Sequence, residues 1–315
     1  MLIGAVLLVA ATFAVAIDAA PSPAPVSRSP QAAASAMPHV AHVIVVVFEN
    51  RSRRSVLGYR GAPTFNRLAK RYALLSNYRA VAHPSLPNYL ALISGSTHGI
   101  RNDCVSCLVG GGSLADTIRG AGRTWRTYVE GYKGQGTRPA HSIPFFARIP
   151  FLRFDNVTDS TRQLQAIQPI SSFNKAVRTG RLPNFSLVVP NLCHDMHNCS
   201  IATGDRWLRR FVGPLLRSPA MQHSVLFITF DEGASRDHLG GGGPVATIVA
   251  GPLVRPHVQS NQPYTHYSLL RTIEDAWGLP RLGQSAAAAP ITGIWRGSAS
   301  RSDVPRNLAR PAAAL

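Results

Sequence analysis

Uninterrupted runs of apolar residues place the strongest constraint on how this chain can fold. Four such runs stand out, at His42–Phe48, Phe185–Val189, Val225–Phe230 and Val245–Ala250. Continuous Val, Ile, Leu and Phe are typical of strands that are covered on both faces, as in a parallel sheet. Helices between the strands provide that cover. The sequence therefore predicts a sheet of mostly parallel strands enclosed by helices.

Segments with helical periodicity lie between these strands, at Thr64–Tyr72, Leu86–Ile93, Ser113–Ala121, Asp205–Leu216 and His266–Trp277. The alternation of strands and helices predicts the α/β class, with a doubly wound, mostly parallel sheet between helices. We expect one domain over residues 39–285. Residues 131–182 have weak periodicity and many polar or Pro breaks, which indicates an insertion or cap. Residues 286–315 are expected to form a low-complexity tail.

The N-terminal residues indicate export. Residues 1–17 are apolar and uncharged, and Asp18-Ala19-Ala20 follows them. A membrane span needs about 20 apolar residues, so this stretch is marginal as a span, and the small residues after it suit cleavage. A positive region before the apolar stretch is missing, so residues 1–20 are interpreted as a signal peptide or a membrane anchor. Residues 21–38, rich in Pro, Ala and Ser, are interpreted as a linker. Either interpretation predicts a secreted, periplasmic or cell-envelope protein.

The four cysteines form two close pairs, Cys104 with Cys107 and Cys193 with Cys199. Two cysteine pairs can form one zinc site, but such a site needs reduced thiolates. Export favours two local disulfides instead, within each pair. We prefer the disulfides because of this compartment argument, although sequence alone does not establish the pairing.

The scarce acidic residues concentrate where strands end. The chain has 15 Asp and Glu, and five of them follow three of the predicted strands: Glu49, Asp195, Asp231, Glu232 and Asp237. In open α/β sheets, ligands bind beyond the carboxyl ends of the strands. Carboxylate oxygens and the amide oxygen of Asn50 suit Mg²⁺, Ca²⁺ or Mn²⁺, whereas added imidazoles shift the preference towards Zn²⁺. We therefore expect a divalent metal site of unknown identity at this edge of the sheet.

Ser85 is the candidate nucleophile. It precedes an apolar run with Pro at position 87, a pattern that predicts the start of a helix. Simple N-capping is an alternative role for such a serine. At a helix N-terminus, however, the positive field and the backbone N–H groups can hold a phosphate, and metal coordination would activate the hydroxyl. The chain has no Gly-x-Ser-x-Gly motif, which argues against an α/β-hydrolase esterase.

Five segments in this order resemble the bacterial phosphoesterase family, which holds acid phosphatases and non-specific phospholipases C within the alkaline phosphatase superfamily. The resemblance covers about residues 40–280. The segments are FENRS at 48–52, HPSLPNY at 83–89, PNLCHDMH at 190–197, FDEG at 230–233 and YTHYSLLR at 264–271. Any one of them alone is a weak signal, whereas the ordered set is specific.

The resemblance implies an alkaline-phosphatase-like fold and metal-dependent hydrolysis of phosphate esters through a phosphoserine on Ser85. It also implies roles for other residues. The implied metal ligands are Glu49, Asn50, Ser85, Asp231 and Glu232. The implied catalytic residues, besides Ser85, are His83, His194, His197 and His266. The candidates for a second metal or for phosphate binding are Asp195, His197 and His266.

The charge of the chain narrows the choice of partners. Lys and Arg number 33 against 15 Asp and Glu, a net charge of +18, which favours phosphate-like anions. The arginines are scattered and form no basic stripe interleaved with aromatic residues, so we expect no specific nucleic acid partner. Small phosphomonoesters are the expected substrates, and membrane contact is expected only through an uncleaved N-terminal anchor. Two alternatives stay open: a phosphodiesterase or phospholipase C acting on lipid head groups, and a non-catalytic exported protein that binds anionic polymers.

Overall fold

The computed structural model describes residues 36–133 and 148–297 of the chain. In these residues, ten strands group into a large sheet and a separate parallel pair. The pair consists of β3 (Tyr78–Arg79) and β10 (Tyr264–Thr265). The strands of the sheet are β1 (His42–Phe48), β2 (Ala73–Leu75), β4 (Trp125–Val129), β5 (Ile167–Pro169), β6 (Phe185–Val189), β7 (Ser224–Phe230), β8 (Thr247–Ala250) and β9 (Val258–Ser260). Their spatial order is β5-β4-β6-β1-β7-β8-β2-β9.

The central strand β1 is parallel to β6 on one side and to β7 on the other. Its residues from Val43 onward are fully or almost fully buried, as the uninterrupted apolar run requires. Strand β8 runs antiparallel to both β7 and β2, and it begins at Thr247, two residues later than the predicted strand. The sheet is therefore mixed but mostly parallel, and the predicted α/β class is confirmed.

Helices form at the five segments where the periodicity predicted them, and four further α-helices form elsewhere in the described residues. The helices are α1 (Arg53–Val56), α2 (Pro63–Arg71), α3 (Ser85–Ser94), α4 (Leu114–Gly120), α5 (Asp155–Thr158), α6 (Thr161–Leu164), α7 (Ile170–Arg178), α8 (Ile201–Arg217) and α9 (His266–Trp277). The five at predicted segments are α2, α3, α4, α8 and α9. All residues of α3 are buried, so this helix belongs to the interior of the domain. Its C-terminus is closed by Gly95 in the left-handed conformation, where L-residues with a side chain are disfavoured.

The segment expected to be an insertion or cap is partly built into the sheet. Residues 134–147 of it lie outside the described residues. The remainder supplies the helices α5, α6 and α7 and the edge strand β5, which pairs in parallel with β4. These residues therefore extend one edge of the same sheet.

The expected boundaries at the two ends differ from the structure by several residues. At the C-terminal side, Ile291, Ile294 and Trp295 are buried in the core, so the folded domain continues past residue 285, and residues 298–315 lie outside the described part. At the N-terminal side, Met37 and Val40 already pack in the core. The signal peptide or anchor at 1–20 and residues 21–35 of the linker lie outside the described part.

Both expected disulfides form. Cys104 is bonded to Cys107 and Cys193 to Cys199. None of the helices in residues 36–133 and 148–297 has the length and apolar character needed to cross a membrane.

Candidate active site

The ends of β1 and β7 bring acidic residues together. Phe48 and Phe230 are register partners at the ends of these parallel strands, so Glu49 and Asp231 follow them side by side. The Asp231 backbone N–H donates to the Phe48 carbonyl at 2.8 Å, which prolongs the pairing by one residue. The loop after β6 joins them, because the Glu49 N–H donates to the Asp195 carbonyl at 2.9 Å. We call Glu49, Asp195, Asp231 and Glu232 the carboxylate cluster; all four are buried.

Asn50 turns the chain back towards this cluster. Its φ of 52° is in the left-handed region, which Asn tolerates better than most residues. In that conformation its backbone N–H donates to Asp231 Oδ1 at 3.0 Å, and its Nδ2 donates to Glu232 Oε1 at 2.8 Å. Its buried Oδ1 accepts no hydrogen bond from the described residues, and neither does Asp231 Oδ2. Two buried oxygen atoms therefore remain available to a ligand.

Ser85 is the first residue of α3 and points into the carboxylate cluster. Its hydroxyl donates to Glu49 Oε2 at 3.0 Å, while Glu49 Oε1 accepts from the Tyr89 hydroxyl, one turn later, at 2.6 Å. Asn88 fixes the loop before the helix: its Oδ1 accepts from the backbone N–H groups of Val81 and Ala82, and its Nδ2 donates to the Ala82 and Pro84 carbonyls. The His83–Pro84 peptide bond in this loop is cis. The side chains of α3 thus hold the serine and its carboxylate partner in one arrangement.

Part of the N-terminus of α3 is already occupied by an acid. The Leu86 N–H donates to Asp103 Oδ1 at 2.8 Å, and Pro87 has no N–H. The expectation that the backbone donors here are free to hold a phosphate is therefore corrected: Asp103 occupies the Leu86 donor. Asp103 was not predicted as a site residue, because nothing local distinguishes it from other loop acids.

Arg148 supplies a buried positive charge to the site, and it was not predicted from the sequence. Its Nε lies 2.8 Å from Glu49 Oε1 and 3.5 Å from Asp195 Oδ2, and its Nη2 donates to Glu49 Oε2 at 2.9 Å. Burial is the largest single influence and acts to lower the pKa of Arg148, but the charge and hydrogen bond of Glu49 together with the nearby Tyr89 and Asp195 outweigh it, and the pKa is raised overall. The residue comes from the weakly periodic stretch of an arginine-rich chain, so no sequence signal marks it.

The carboxylate cluster carries more negative charge than Arg148 balances. Burial, followed by the charge of Glu49, raises the pKa of Asp195 to about 8. The same two causes, in the same order, raise the pKa of Glu232 to about 8. The pKa of Asp231 is also raised, by burial and then by its two acidic neighbours, although the Ser85 hydroxyl and the Asn50 N–H oppose this. The site therefore attracts either protons or a further cation.

We expect protein freed of divalent ions to lose stability as pH rises. Asp195 and Glu232 have pKa values of about 8 in the folded chain, above the ordinary unfolded values, so the folded state binds more protons. Their contribution is fully present below the unfolded pKa and is lost as pH rises through the folded pKa. The free energy of unfolding in chelator should fall by at least about 2 kcal/mol between about pH 5 and pH 8. Added divalent ion should restore more stability at the higher pH; equal restoration at both values would contradict this account of the cluster.

Two of the four expected catalytic histidines contact the residues of the cluster, in different ways. His83 Nδ1 lies 2.5 Å from Glu232 Oε2, and its Nε2 lies 3.0 Å from the Asp237 carbonyl. His266 is buried, its Nε2–H donates to the Asp231 carbonyl at 2.6 Å, and its Nδ1 accepts from the Tyr78 hydroxyl at 3.1 Å. Burial lowers the pKa of His266 to about 4, which keeps the ring neutral. With both ring nitrogens bonded to protein, His266 positions Asp231 here and has no nitrogen left for phosphate or metal.

The other two histidines point elsewhere. His194 Nδ1 lies 2.8 Å from Glu130 Oε2, and the pair lines a cavity of about 200 Å³ beside Trp207. His197 is exposed, and its ring bonds the side chain of Asn198 at 2.6 Å. Among the described residues, no hydrogen bond joins the ring of either histidine to Ser85 or to the carboxylate cluster. Glu130, which follows β4, is a further acid that was not predicted as a candidate from the sequence.

Comparisons with known proteins agree with this architecture. A model of the Phosphoesterase family matches residues 56–280, a range that includes Ser85 and Asp231. The phosphatidylinositol-3-phosphatase of Mycobacterium tuberculosis is 36% identical over 269 residues, covering 84% of this chain and 85% of the relative. An acid phosphatase of Aspergillus fumigatus is 30% identical over 240 residues, covering 72% of this chain but 53% of the relative, so the chain spans about half of that fungal protein.

Solved structures show the same fold at low sequence identity. A protein of the alkaline phosphatase superfamily from Vibrio parahaemolyticus superposes with a TM-score of 0.59 at 12% identity, covering 82% of this chain and 72% of the other. The lipoteichoic acid synthase LtaP from Listeria monocytogenes gives a TM-score of 0.53 at 10% identity, covering 79% of this chain and 74% of the other. At such low sequence identity, the structural similarity is evidence of a shared fold only.

Proposed function

Because the chain belongs to the phosphoesterase family and is a phosphoric ester hydrolase, we propose that it hydrolyses phosphomonoesters with the help of a divalent metal ion, through a phosphoserine on Ser85. The observation that carries the proposal is the position of the Ser85 hydroxyl, 3.0 Å from Glu49 at the start of a buried helix. The family membership removes the alternative of a non-catalytic polymer-binding protein. The relatives described above are named phosphatases, which supports monoesters over diesters.

The residues at this site fit a hard cation. Within the described parts of the chain, no three His, Cys, Asp or Glu side chains form a ready-made metal site, so an ion needs other oxygen ligands as well. Asn50 Oδ1 and Asp231 Oδ2 are buried without a hydrogen-bond donor, and the raised carboxyl pKa values mark an excess of negative charge. We assign the ion to the oxygens of Glu49, Asn50, Ser85, Asp231 and Glu232, a set that suits Mg²⁺, Ca²⁺ or Mn²⁺ better than Zn²⁺. Such an ion would polarise the phosphoryl group and favour ionisation of a serine hydroxyl.

The residues of the chain supply the remaining steps. The Ser85 hydroxyl is oriented by Glu49 Oε2, which is placed to receive its proton as the oxygen attacks phosphorus. Arg148 offsets part of the negative charge of Glu49 and Asp195, and this lowers the repulsion that an anionic phosphate meets. The new Ser85–phosphorus bond forms as the bond to the alcohol breaks. The alcohol takes up a proton from solvent water, because both ring nitrogens of His83, like those of His266, are already bonded to protein atoms. Water then cleaves the phosphoserine, which regenerates Ser85 and releases inorganic phosphate.

A substrate panel tests the proposal. We expect p-nitrophenyl phosphate to be hydrolysed with kcat/KM at least about tenfold above that for bis(p-nitrophenyl) phosphate. Chelator should reduce monoester turnover by at least about 100-fold, and a divalent ion should restore it. Full turnover in chelator would contradict the metal, and a preference for the diester would favour the phosphodiesterase or phospholipase C alternative.

We propose that the protein is exported, and its disulfides support this. Both bonds form between residues close in sequence, and such bonds persist in oxidising compartments.

A further inference from the structure

Three of the four most exposed large apolar side chains among the described residues lie on two loops that contact the segment around Ser85. Among the described residues, the large hydrophobic side chains that are most exposed are Val105 at 50%, Leu108 at 44%, Leu239 at 56% and Tyr59 at 48%. The first two lie on residues 101–109, which we call the disulfide loop. Leu239 lies on residues 236–243, which we call the glycine loop. Exposed large apolar side chains beside a functional site indicate an interaction surface.

The disulfide loop is held rigidly against the start of α3. The side chain of Asp103 accepts a hydrogen bond from the backbone N–H of Leu86, which is the residue directly after Ser85. The Cys104–Cys107 bond closes the tip of the loop. Beneath it, the fully buried Arg153 donates from Nη1 to the Val105 carbonyl at 2.7 Å, and its own carbonyl accepts from the Val109 N–H at 2.7 Å. Val105 and Leu108 are therefore presented outward on a fixed platform.

The glycine loop packs against the segment that leads into Ser85 from the other side. His83 Nε2 contacts the Asp237 carbonyl at 3.0 Å, and the His238 ring lies edge-on to the His83 ring at 4.9 Å. A Cβ added at Gly242 would lie 2.3 Å from the Ala82 carbonyl oxygen, so the close approach requires glycine there. Leu239 is therefore carried on a loop that is fixed to the site.

Each loop also carries an exposed cation. Arg101 lies two residues before Asp103, and Arg236 directly precedes Asp237. The acid of the disulfide loop, Asp103, is exposed but accepts from the Leu86 N–H at the start of α3. Apolar side chains flanked by arginines are typical of surfaces that rest at the head-group level of a bilayer, where the apolar groups enter the interface and the cations meet anionic head groups.

We propose that the disulfide loop and the glycine loop together form a docking surface for an anionic lipid bilayer. In this arrangement Val105, Leu108 and Leu239 enter the interface while Arg101 and Arg236 bind lipid phosphates. The inference rests on the proposed hydrolysis at Ser85 and deepens it, because the surface places phosphate esters of membrane lipids at the serine. It replaces the expectation that an N-terminal anchor is the only membrane contact.

A second group of arginines supplies a matched control. Arg67, Arg71, Arg209 and Arg217 line a groove of about 670 Å³ between α2 and α8. Helix α8 starts directly after the loop that carries Asp195 and runs for 17 residues, about 25 Å, so Arg217 at its end is remote from Ser85. If the +18 net charge alone attracted the protein to membranes, these arginines would contribute as much as those of the two loops.

The test is sedimentation of the full chain with vesicles of phosphatidylcholine alone or with about one third phosphatidylserine. We expect binding to the anionic vesicles, weakened at least about tenfold by R101E/R236E and about tenfold by L108S/L239S. The control R209E/R217E, which changes the charge equally, should stay within about twofold of wild type. Turnover of soluble p-nitrophenyl phosphate should be the same in all four proteins.

Three results would overturn the docking surface. If the wild-type protein did not bind the anionic vesicles, the two loops would not be a membrane surface, and a protein partner would be the remaining interpretation. An equal loss in R209E/R217E would show attraction by overall charge, and undiminished binding of L108S/L239S would show that the apolar side chains do not enter the lipid. Failure of the proposed function looks different: Ser85→Ala would then still hydrolyse p-nitrophenyl phosphate, whatever the vesicles show.

Discussion

Replacing Ser85 with Ala is expected to lower kcat for p-nitrophenyl phosphate by at least about 10³-fold in protein supplied with divalent ion. The substitution removes the oxygen that attacks phosphorus, and losses of a nucleophile in serine enzymes are of this size or larger. The fold should survive, because the change deletes one oxygen atom from a buried side chain and leaves Glu49 bonded to Tyr89 and Arg148. Steady-state kinetics and thermal unfolding measure the two effects separately.

Ser94→Ala is the matched control for this experiment. Ser94 lies on the same buried helix, but its hydroxyl donates to the Leu90 carbonyl at 2.8 Å, away from the carboxylate cluster. We expect its turnover to stay within about twofold of wild type. Wild-type protein quenched during turnover should carry phosphate on the peptide that contains Ser85. Near-normal activity of Ser85→Ala, or phosphate on another peptide, would contradict the nucleophile assignment.

Replacing Arg148 with Gln is expected to destabilise the ion-free protein by about 3–5 kcal/mol, the cost of removing one partner from a buried ion pair. The guanidinium is buried against Glu49 and Asp195, so its loss leaves two carboxylates without their cation. Because the proposed metal ion would neutralise the same cluster, added Ca²⁺ or Mg²⁺ should recover more stability in this variant than in wild type. Urea unfolding with and without chelator measures both quantities.

Arg255→Gln provides the comparison for Arg148. Its guanidinium is exposed and donates to the Gly293 carbonyl at 3.2 Å, so its removal should change the free energy of unfolding by less than about 0.5 kcal/mol. A loss of similar size in both variants would show that Arg148 has no special place in the site. If divalent ion increased the free energy of unfolding of Arg148→Gln by no more than that of wild type, Arg148 and the proposed metal would not neutralise the same carboxylates.

The acids and the serine of the site could be predicted because each has a local signal. Glu49 and Asp231 directly follow apolar runs that read as neighbouring strands, and the ends of parallel strands meet at one edge of a sheet. Ser85 precedes an apolar helix with Pro87 in its first turn. These arguments need only the order of residues along the chain, so they did not depend on how distant segments pack.

Arg148, Asp103 and Glu130 had no such signal. Each reaches the site or its surroundings from a loop or turn, and its partner lies at least 17 residues away in sequence. In the sequence, an Arg or Asp that belongs to the site cannot be distinguished from other charged residues in loops. The pairings of these three residues therefore emerge from packing between separate elements.

The four candidate histidines show the same difference between what the sequence predicts and what packing decides. All four candidates lie in segments that resemble the phosphoesterase family, yet His83 bonds Glu232, His194 bonds Glu130, and His266 is enclosed by Tyr78 and the Asp231 carbonyl. Position in the sequence identified polar residues near strand ends. The direction in which each ring points depends on side chains up to 188 residues away.

By itself, the sequence determined the α/β class and the place of the acids at strand ends, and it favoured the disulfide pairs that the structure confirms, because apolar runs, close cysteines and strand termini are local properties. Only the tertiary structure decided that Arg148 balances Glu49 and that apolar side chains flank Ser85 on two rigid loops. The physical reason is that charge balance and exposure depend on distances across the fold, and these are set when the sheet brings remote segments together.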